Sequence, residues 1–212
     1  MFIVVTSPIK VKLDEDVVNR LFTIGLKMLH LRKPDSTIDD YRTFLQGINM
    51  VYHDRIVIHH YPELCHEFGL KGYHLTESNR EEMGSELEDF VRQMQDSGFT
   101  VSTAFHDLET LRLCDIPFDY HLLSPVLNSI SKPDYLGKAF DVNNISKAVI
   151  GLGGIDSGNI GMIKDLGYNG VAVLGSIWEH NNPLEAFINI QEAYYKHYVT
   201  KAKGIEHFWI RS

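Results

Sequence analysis

Short apolar runs alternate with longer stretches in which apolar residues recur every three or four positions, and the alternation holds along most of the chain. "FIVVTS" (2–7) has the β-branched run of a strand; "DEDVVNRLFTIG" (14–25) then puts Val17, Val18, Leu21 and Ile24 on one helical face, with Gly25 as its stop. "KMLHLRK" (27–33) predicts a second strand, followed by a helix over "TIDDYRTFLQGINMVYH". "RIVIHH" (55–60) predicts a third strand, with a helix starting at Pro62 and ending at Gly69. "GYHLTES" (72–78) reads as a fourth, and "SELEDFVRQMQDSG" (85–98) as a helix capped by Ser85 and closed by Gly98. The rhythm continues with strands at 100–105, 119–126, 147–152 and 170–176. Helices are expected from Asp107, over "DSGNIGMIKDLG" and over 182–198, with a weak or short one after the sixth strand. Eight βα units in this length predict a single-domain (β/α)8 TIM barrel spanning 1–212, with 199–212 as a C-terminal extension. A doubly wound open sheet is the competing α/β arrangement.

Composition narrows the function classes. A net charge of −8 supplies no basic surplus to neutralise a nucleic-acid backbone, so no nucleic-acid partner is expected. The apolar run at the N-terminus is five residues with no positive region before it, and no window approaches a membrane span, so no membrane partner is expected either. Cys65 and Cys114 form no metal spacing and fit a reduced, cytoplasmic protein. The aromatics of the tail "TKAKGIEHFWIRS" are expected to pack on the barrel or on a partner subunit, which leaves a homo-oligomer open.

The glycines of "VIGLGGIDSGNI" (149–160) carry the first candidate chemistry. A dinucleotide fingerprint needs a third glycine where Asp156 stands, and it belongs to the first βαβ unit rather than a late one. In phosphate-handling barrels the loops after strands seven and eight form an anion cup. Gly153 and Gly154 end strand seven, while Leu174, Gly175 and Ser176 end strand eight. Their backbone N–H groups are therefore placed to converge on one phosphate; the bland reading is that they are turn glycines only.

The ordered set "GLKMLHLRK", "LKGYHLTES", "DYHLLSPVLNSISK", "AVIGLGGI" and "NGVAVLGSI" resembles the thiamine phosphate synthase and TenI (thiazole tautomerase) superfamily of (β/α)8 barrels, over roughly residues 2–178. The resemblance implies a thiazole phosphate ligand and a place in thiamine biosynthesis. The family's T-x-T-K after strand six matches Ser129-Ile130-Ser131-Lys132, and its G-G-I matches Gly153-Gly154-Ile155. Ser129 and Ser131 would keep the hydroxyl donors, and Lys132 a cation beside the phosphate.

The half that handles pyrophosphate in synthases departs from the pattern. Synthases have Q-x-R-E-K on strand two, where this chain has His30-Leu31-Arg32-Lys33-Pro34. Their magnesium carboxylates after strands three and four fall on His59-His60 and on Thr76-Glu77-Ser78-Asn79. The Ser of S-x-H aligns with Ala104, but its His survives as His106. Tautomerases, which resemble synthases but lack the pyrimidine site, use that histidine in proton transfer, which needs a group titrating near neutrality and an anion cup. The favoured expectation is tautomerase-like proton transfer with His106, Lys132 and Arg32 as the catalytic set. Ser129, Ser131, Gly153, Gly154, Leu174, Gly175, Ser176, His30 and His74 would bind substrate. A synthase using Mg²⁺ and a non-catalytic thiamine-metabolite binder are the alternatives; no cofactor is expected unless the synthase alternative holds.

Histidine placement raises one more question. His30 and Arg32 are two apart on a strand and share a face, His74 lies in "GYHL", and His59 or His60 ends strand three. Imidazole suits Zn²⁺ and related ions. Without C-x-x-C or H-E-x-x-H spacing, however, the expectation is that these rings line a polar barrel mouth and that no metal is bound. His121 is expected to be structural, and His180, His197 and His207 to lie outside the site. Asp107 and Asp156 are expected to cap helices.

Overall fold

A computed structural model describes residues 1–7, 14–128 and 137–199. Eight parallel strands close into a barrel in sequence order: β1 (Phe2–Val5), β2 (Leu29–Leu31), β3 (Ile56–Ile58), β4 (Gly72–Leu75), β5 (Thr100–Phe105), β6 (Tyr120–Leu123), β7 (Val149–Leu152) and β8 (Gly170–Val173). The (β/α)8 expectation holds, and the open sheet is excluded because β1 pairs with both β2 and β8. The helices are α1 (Asp14–Thr23), α2 (Ile38–Gly47), α3 (Leu64–Phe68), α4 (Glu77–Met83), α5 (Leu87–Asp96), α6 (Leu108–Leu113), α7 (Ile160–Asp165), α8 (Gly175–Trp178) and α9 (Pro183–Tyr198).

The period of two along each strand sorts side chains between two cores. Ile3, Val5, Val57, Leu122, Ile150 and Ala172 pack inside the barrel, while Val4, Leu29, Leu31 and Ile58 meet the surrounding helices. Because Leu29 and Leu31 point outward, His30 between them is fully buried with the interior set. The longest helix, α9, begins with Pro183 behind an Asn182 cap and buries Ala186, Phe187 and Ile190. Each such side chain removed from water contributes roughly 1.5–3 kcal/mol in the case of Phe or Ile. The N-terminal amine donates to the Asn169 carbonyl and to Tyr194 Oη, fastening the first residue to the loop before β8 and to α9.

Local differences from the sequence reading have specific causes. The fourth strand stops at Leu75 because Thr76 accepts a hydrogen bond from the Asn79 amide and starts α4. Ser85 caps nothing: it lies inside a 3₁₀ turn, Gly84–Glu86, that leads directly into α5. Asp107 does cap α6, accepting from the Thr110 amide. Asp156 instead accepts from the Gly158 amide in a local turn, three residues ahead of the Asn159 that precedes α7. The short helix expected after the sixth strand falls partly on 129–136, which lie outside the described residues, as does the tail beyond 199. No described helix is long and apolar enough to cross a membrane.

Candidate active site at the barrel mouth

The C-terminal ends of the strands surround a cavity of about 370 Å³. Its walls bring together most of the expected site: Arg32, His74, His106, Gly153, Gly154, Leu174, Gly175 and Ser176 all line it. His30 does not; it sits beneath the floor with no exposed surface. Ser129, Ser131 and Lys132 lie outside the described residues.

On one side the chain after β7 turns on two consecutive left-handed glycines, Gly153 (φ 104°) and Gly154 (φ 67°). A Cβ on Gly154 would lie 2.3 Å from the Asn128 carbonyl oxygen, so this close approach requires glycine. Facing it, Gly175 and Ser176 open α8, where helix geometry leaves the first N–H groups without intrahelical partners. Among the described residues, the N–H groups of Gly154, Gly175 and Ser176 donate to no carbonyl. Ser176 Oγ is sealed from solvent without a hydrogen-bond partner among the described residues. Buried hydroxyls are ordinarily paired, and this one belongs to a residue that lines the cavity.

Across the mouth, His106 follows β5 and is held by the strand next to it. Its Nδ1 lies 2.9 Å from the Ser124 carbonyl and 3.1 Å from Ser124 Oγ. A carbonyl only accepts, so in that bond Nδ1 is the donor. Nε2 lies 3.9 Å from Glu77 Oε2, at the start of α4. Glu77 is in turn fixed by Arg80, whose guanidinium is buried over the Phe105 ring and donates to Thr103 Oγ1 and the Ala104 carbonyl. Lys138 Nζ donates to the His106 carbonyl. Arg32 enters from the end of β2, its backbone tied to Thr6.

The floor is polar. His74 donates or accepts through Nδ1 with Ser102 Oγ at 2.8 Å, His30 Nδ1 is 3.0 Å from His59 Nε2, and His30 Nε2 is 2.6 Å from Tyr120 Oη. Burial pushes His30 down to about 3, and burial followed by the neighbouring imidazoles and Arg32 pushes His59 and His74 well below the ordinary histidine range. All three rings are therefore neutral at pH 7. His60, half-buried, turns instead toward the Tyr41 ring. His121 is buried between Phe105 and Phe118, and His180 and His197 are exposed, on the α8–α9 connection and on α9, and do not line the cavity. His207 lies outside the described residues.

Sequence reasoning did not single out Ser124, Arg80, Ser102 or Tyr120. Each acts through a side chain already noticed, and nothing in linear spacing links positions that meet only once the barrel closes.

The loops after β7 and β8 border one cavity at the C-terminal ends of the strands, the face on which (β/α)8 barrels carry their sites. The family model described as thiamine monophosphate synthase (TMP-TENI) matches residues 1–177, and the chain belongs to that family. The chain is similar to the crystal structure of thiamine phosphate pyrophosphorylase from Bacteroides thetaiotaomicron, with 31% identity, 91% of this chain and 96% of that chain covered, and a TM-score of 0.71. A thiamine phosphate pyrophosphorylase from Pyrococcus furiosus shares the fold at 13% identity, covering 92% and 95%, with a TM-score of 0.73. So does 3-hexulose-6-phosphate synthase from Salmonella typhimurium, at 12% identity, 93% and 100% coverage and a TM-score of 0.63. No curated protein matches the chain significantly.

Proposed function

We propose that the chain is a TenI-like thiazole tautomerase, binding thiazole phosphate with its phosphate in the Gly153–Gly154 and Gly175–Ser176 cup. The observation that carries this reading is the shared cavity of Ser176, whose hydroxyl has no hydrogen-bond partner among the described residues, and His106, whose Nδ1 donates to the Ser124 carbonyl. The cup anchors the ester. His106 then takes a proton from one carbon of the non-aromatic thiazole carboxylate and returns it to another, giving the aromatic isomer with no change in redox state or composition. Glu77, 3.9 Å from Nε2, stabilises the imidazolium formed between the two transfers. Arg32 meets the substrate carboxylate, and Lys132 is assigned to the phosphate.

The residues around the mouth support proton transfer over coupling to a pyrimidine pyrophosphate. Expelling pyrophosphate calls for a Mg²⁺ clamp, and Mg²⁺ takes oxygen ligands. Among the described lining residues Glu77 is the only carboxylate, and it is already paired with Arg80; His59 and His74 stand on the side where the synthase carboxylates are expected. This donor set does not fit magnesium. Two assays separate the readings. The chain is expected to isomerise the thiazole carboxylate phosphate and to form no thiamine phosphate from the two synthase substrates with Mg²⁺. Clear coupling activity overturns the proposal in favour of the synthase. Tight thiazole phosphate binding with neither turnover overturns it in favour of a metabolite binder.

A further inference from the structure

The three neutral rings under the cavity form a cluster that the proton-transfer reading does not use. One ring nitrogen of each of His30, His59 and His74 lies within 4.8 Å of those of the other two. They come from β2, the end of β3 and β4, consecutive strands whose registers bring the rings into mutual contact, with centroids 4.3 to 5.2 Å apart. We propose that His30, His59 and His74 bind one divalent transition-metal ion of the zinc and cobalt class, with its open coordination position facing the cavity.

The separations suit such an ion. Zinc–nitrogen bonds of about 2.0–2.1 Å set two nitrogens on a tetrahedral centre about 3.3 Å apart. His30 Nδ1 and His59 Nε2 are already 3.0 Å apart, so a small outward shift of one ring admits the metal. The outer contacts can fix the tautomers that ligation needs. With its proton on Nδ1, His74 donates to Ser102 Oγ and presents Nε2. With its proton on Nε2, His30 donates to Tyr120 Oη, whose own hydrogen reaches Met28 Sδ at 3.7 Å, and Nδ1 is left with a lone pair.

His59 Nδ1 is buried with no hydrogen-bond partner among the described residues; with its proton there, His59 presents Nε2 beside His30 Nδ1. Three imidazoles leave a tetrahedral ion one open position, and His59 and His74 both line the cavity wall, so that position reaches bound small molecules. Unlike a magnesium clamp, this set needs no carboxylate. It stands apart from the tautomerase reading, and its test does not use turnover.

The test is titration of chelator-treated full-length chain with Co²⁺, followed by metal analysis and visible absorption. The expected result is one Co²⁺ per chain, with the absorption of a four-coordinate, nitrogen-rich site that Zn²⁺ abolishes. His59→Gln and His74→Gln are each expected to lose this binding, and Ser102→Ala to weaken it roughly 10-fold or more as an outer-contact change. Circular dichroism checks that each variant is folded. The anomalous signal of a cobalt-soaked wild-type crystal needs no variant: an ion among the three rings supports the proposal. Failure of the wild type to take up stoichiometric Co²⁺ overturns it. So does uptake unchanged in both folded histidine variants, or an ion placed elsewhere.

Discussion

His106 Nδ1 donates to the carbonyl of Ser124, 2.9 Å away just past the end of the next strand. The bond holds a histidine whose Nε2 lies 3.9 Å from Glu77 Oε2, and it ties the orientation of that ring to the β5–β6 pairing, in which Phe105 lies opposite Leu123. A general base held this way contributes roughly 10²–10⁴-fold to a proton transfer. His106→Gln is therefore expected to lower kcat by about that factor while KM for the thiazole carboxylate phosphate changes little. Steady-state kinetics check it; a change confined to KM assigns His106 to binding.

Ser176→Ala should weaken thiazole phosphate by about 1–3 kcal/mol, because it removes a buried hydroxyl that bonds a charged oxygen only when ligand is present. Ser131→Ala carries the same expectation from its place in the family motif. Calorimetry with wild type and each variant reads the change directly, and unchanged affinity in both would remove the cup from the site.

Gly154→Ala tests the backbone of that cup separately. A left-handed φ of 67° and a Cβ 2.3 Å from the Asn128 carbonyl give alanine no place without movement of the loop. The variant is expected to lose stability by more than about 1 kcal/mol and to bind the phosphate ester more weakly. Denaturant melts and calorimetry follow the two effects; a variant as stable as wild type contradicts the close approach.

His121 supplies a pH dependence outside the site. It is buried, its Nδ1 lies 3.3 Å from the Ala148 carbonyl, and burial lowers its pKa from 6.5 despite that bond. The unfolded chain therefore binds a proton more readily than the folded one as pH drops below 6.5. The contribution is fully present above that pH and is lost on acidification, with a slope of at most about 1.4 kcal/mol per pH unit. Stability measured from pH 8 to pH 5 should fall less steeply in His121→Leu than in wild type. Equal slopes would place the acid-sensitive groups elsewhere.

The closed barrel was legible because parallel strands buried on both faces leave near-continuous apolar runs, as in "FIVV" and "GVAV", and helices between them leave a different period. The placement of His30 inside also followed, since Arg32 shares its face. Helix starts were harder. Thr76, Ser85 and Asp156 are all residues that can accept from a nearby amide, and only the backbone course decides that Thr76 caps a helix while Asp156 closes a turn. The grip of Ser124 on His106, and the meeting of His30, His59 and His74, depend on strand register around a closed sheet. The stretches of chain between neighbouring strands vary in length, so chain spacing carries no trace of those contacts. Lacking a known metal spacing, the histidines read as lining groups; in space one ring nitrogen of each of the three lies within 4.8 Å of the others.

A crystal structure with thiazole phosphate bound is the most direct measurement of the account. The account predicts the phosphate among the amides of Gly154, Gly175 and Ser176, within reach of Ser176 Oγ, with the thiazole ring beside His106 Nε2. A phosphate seated anywhere else, or a ring turned away from His106, contradicts it.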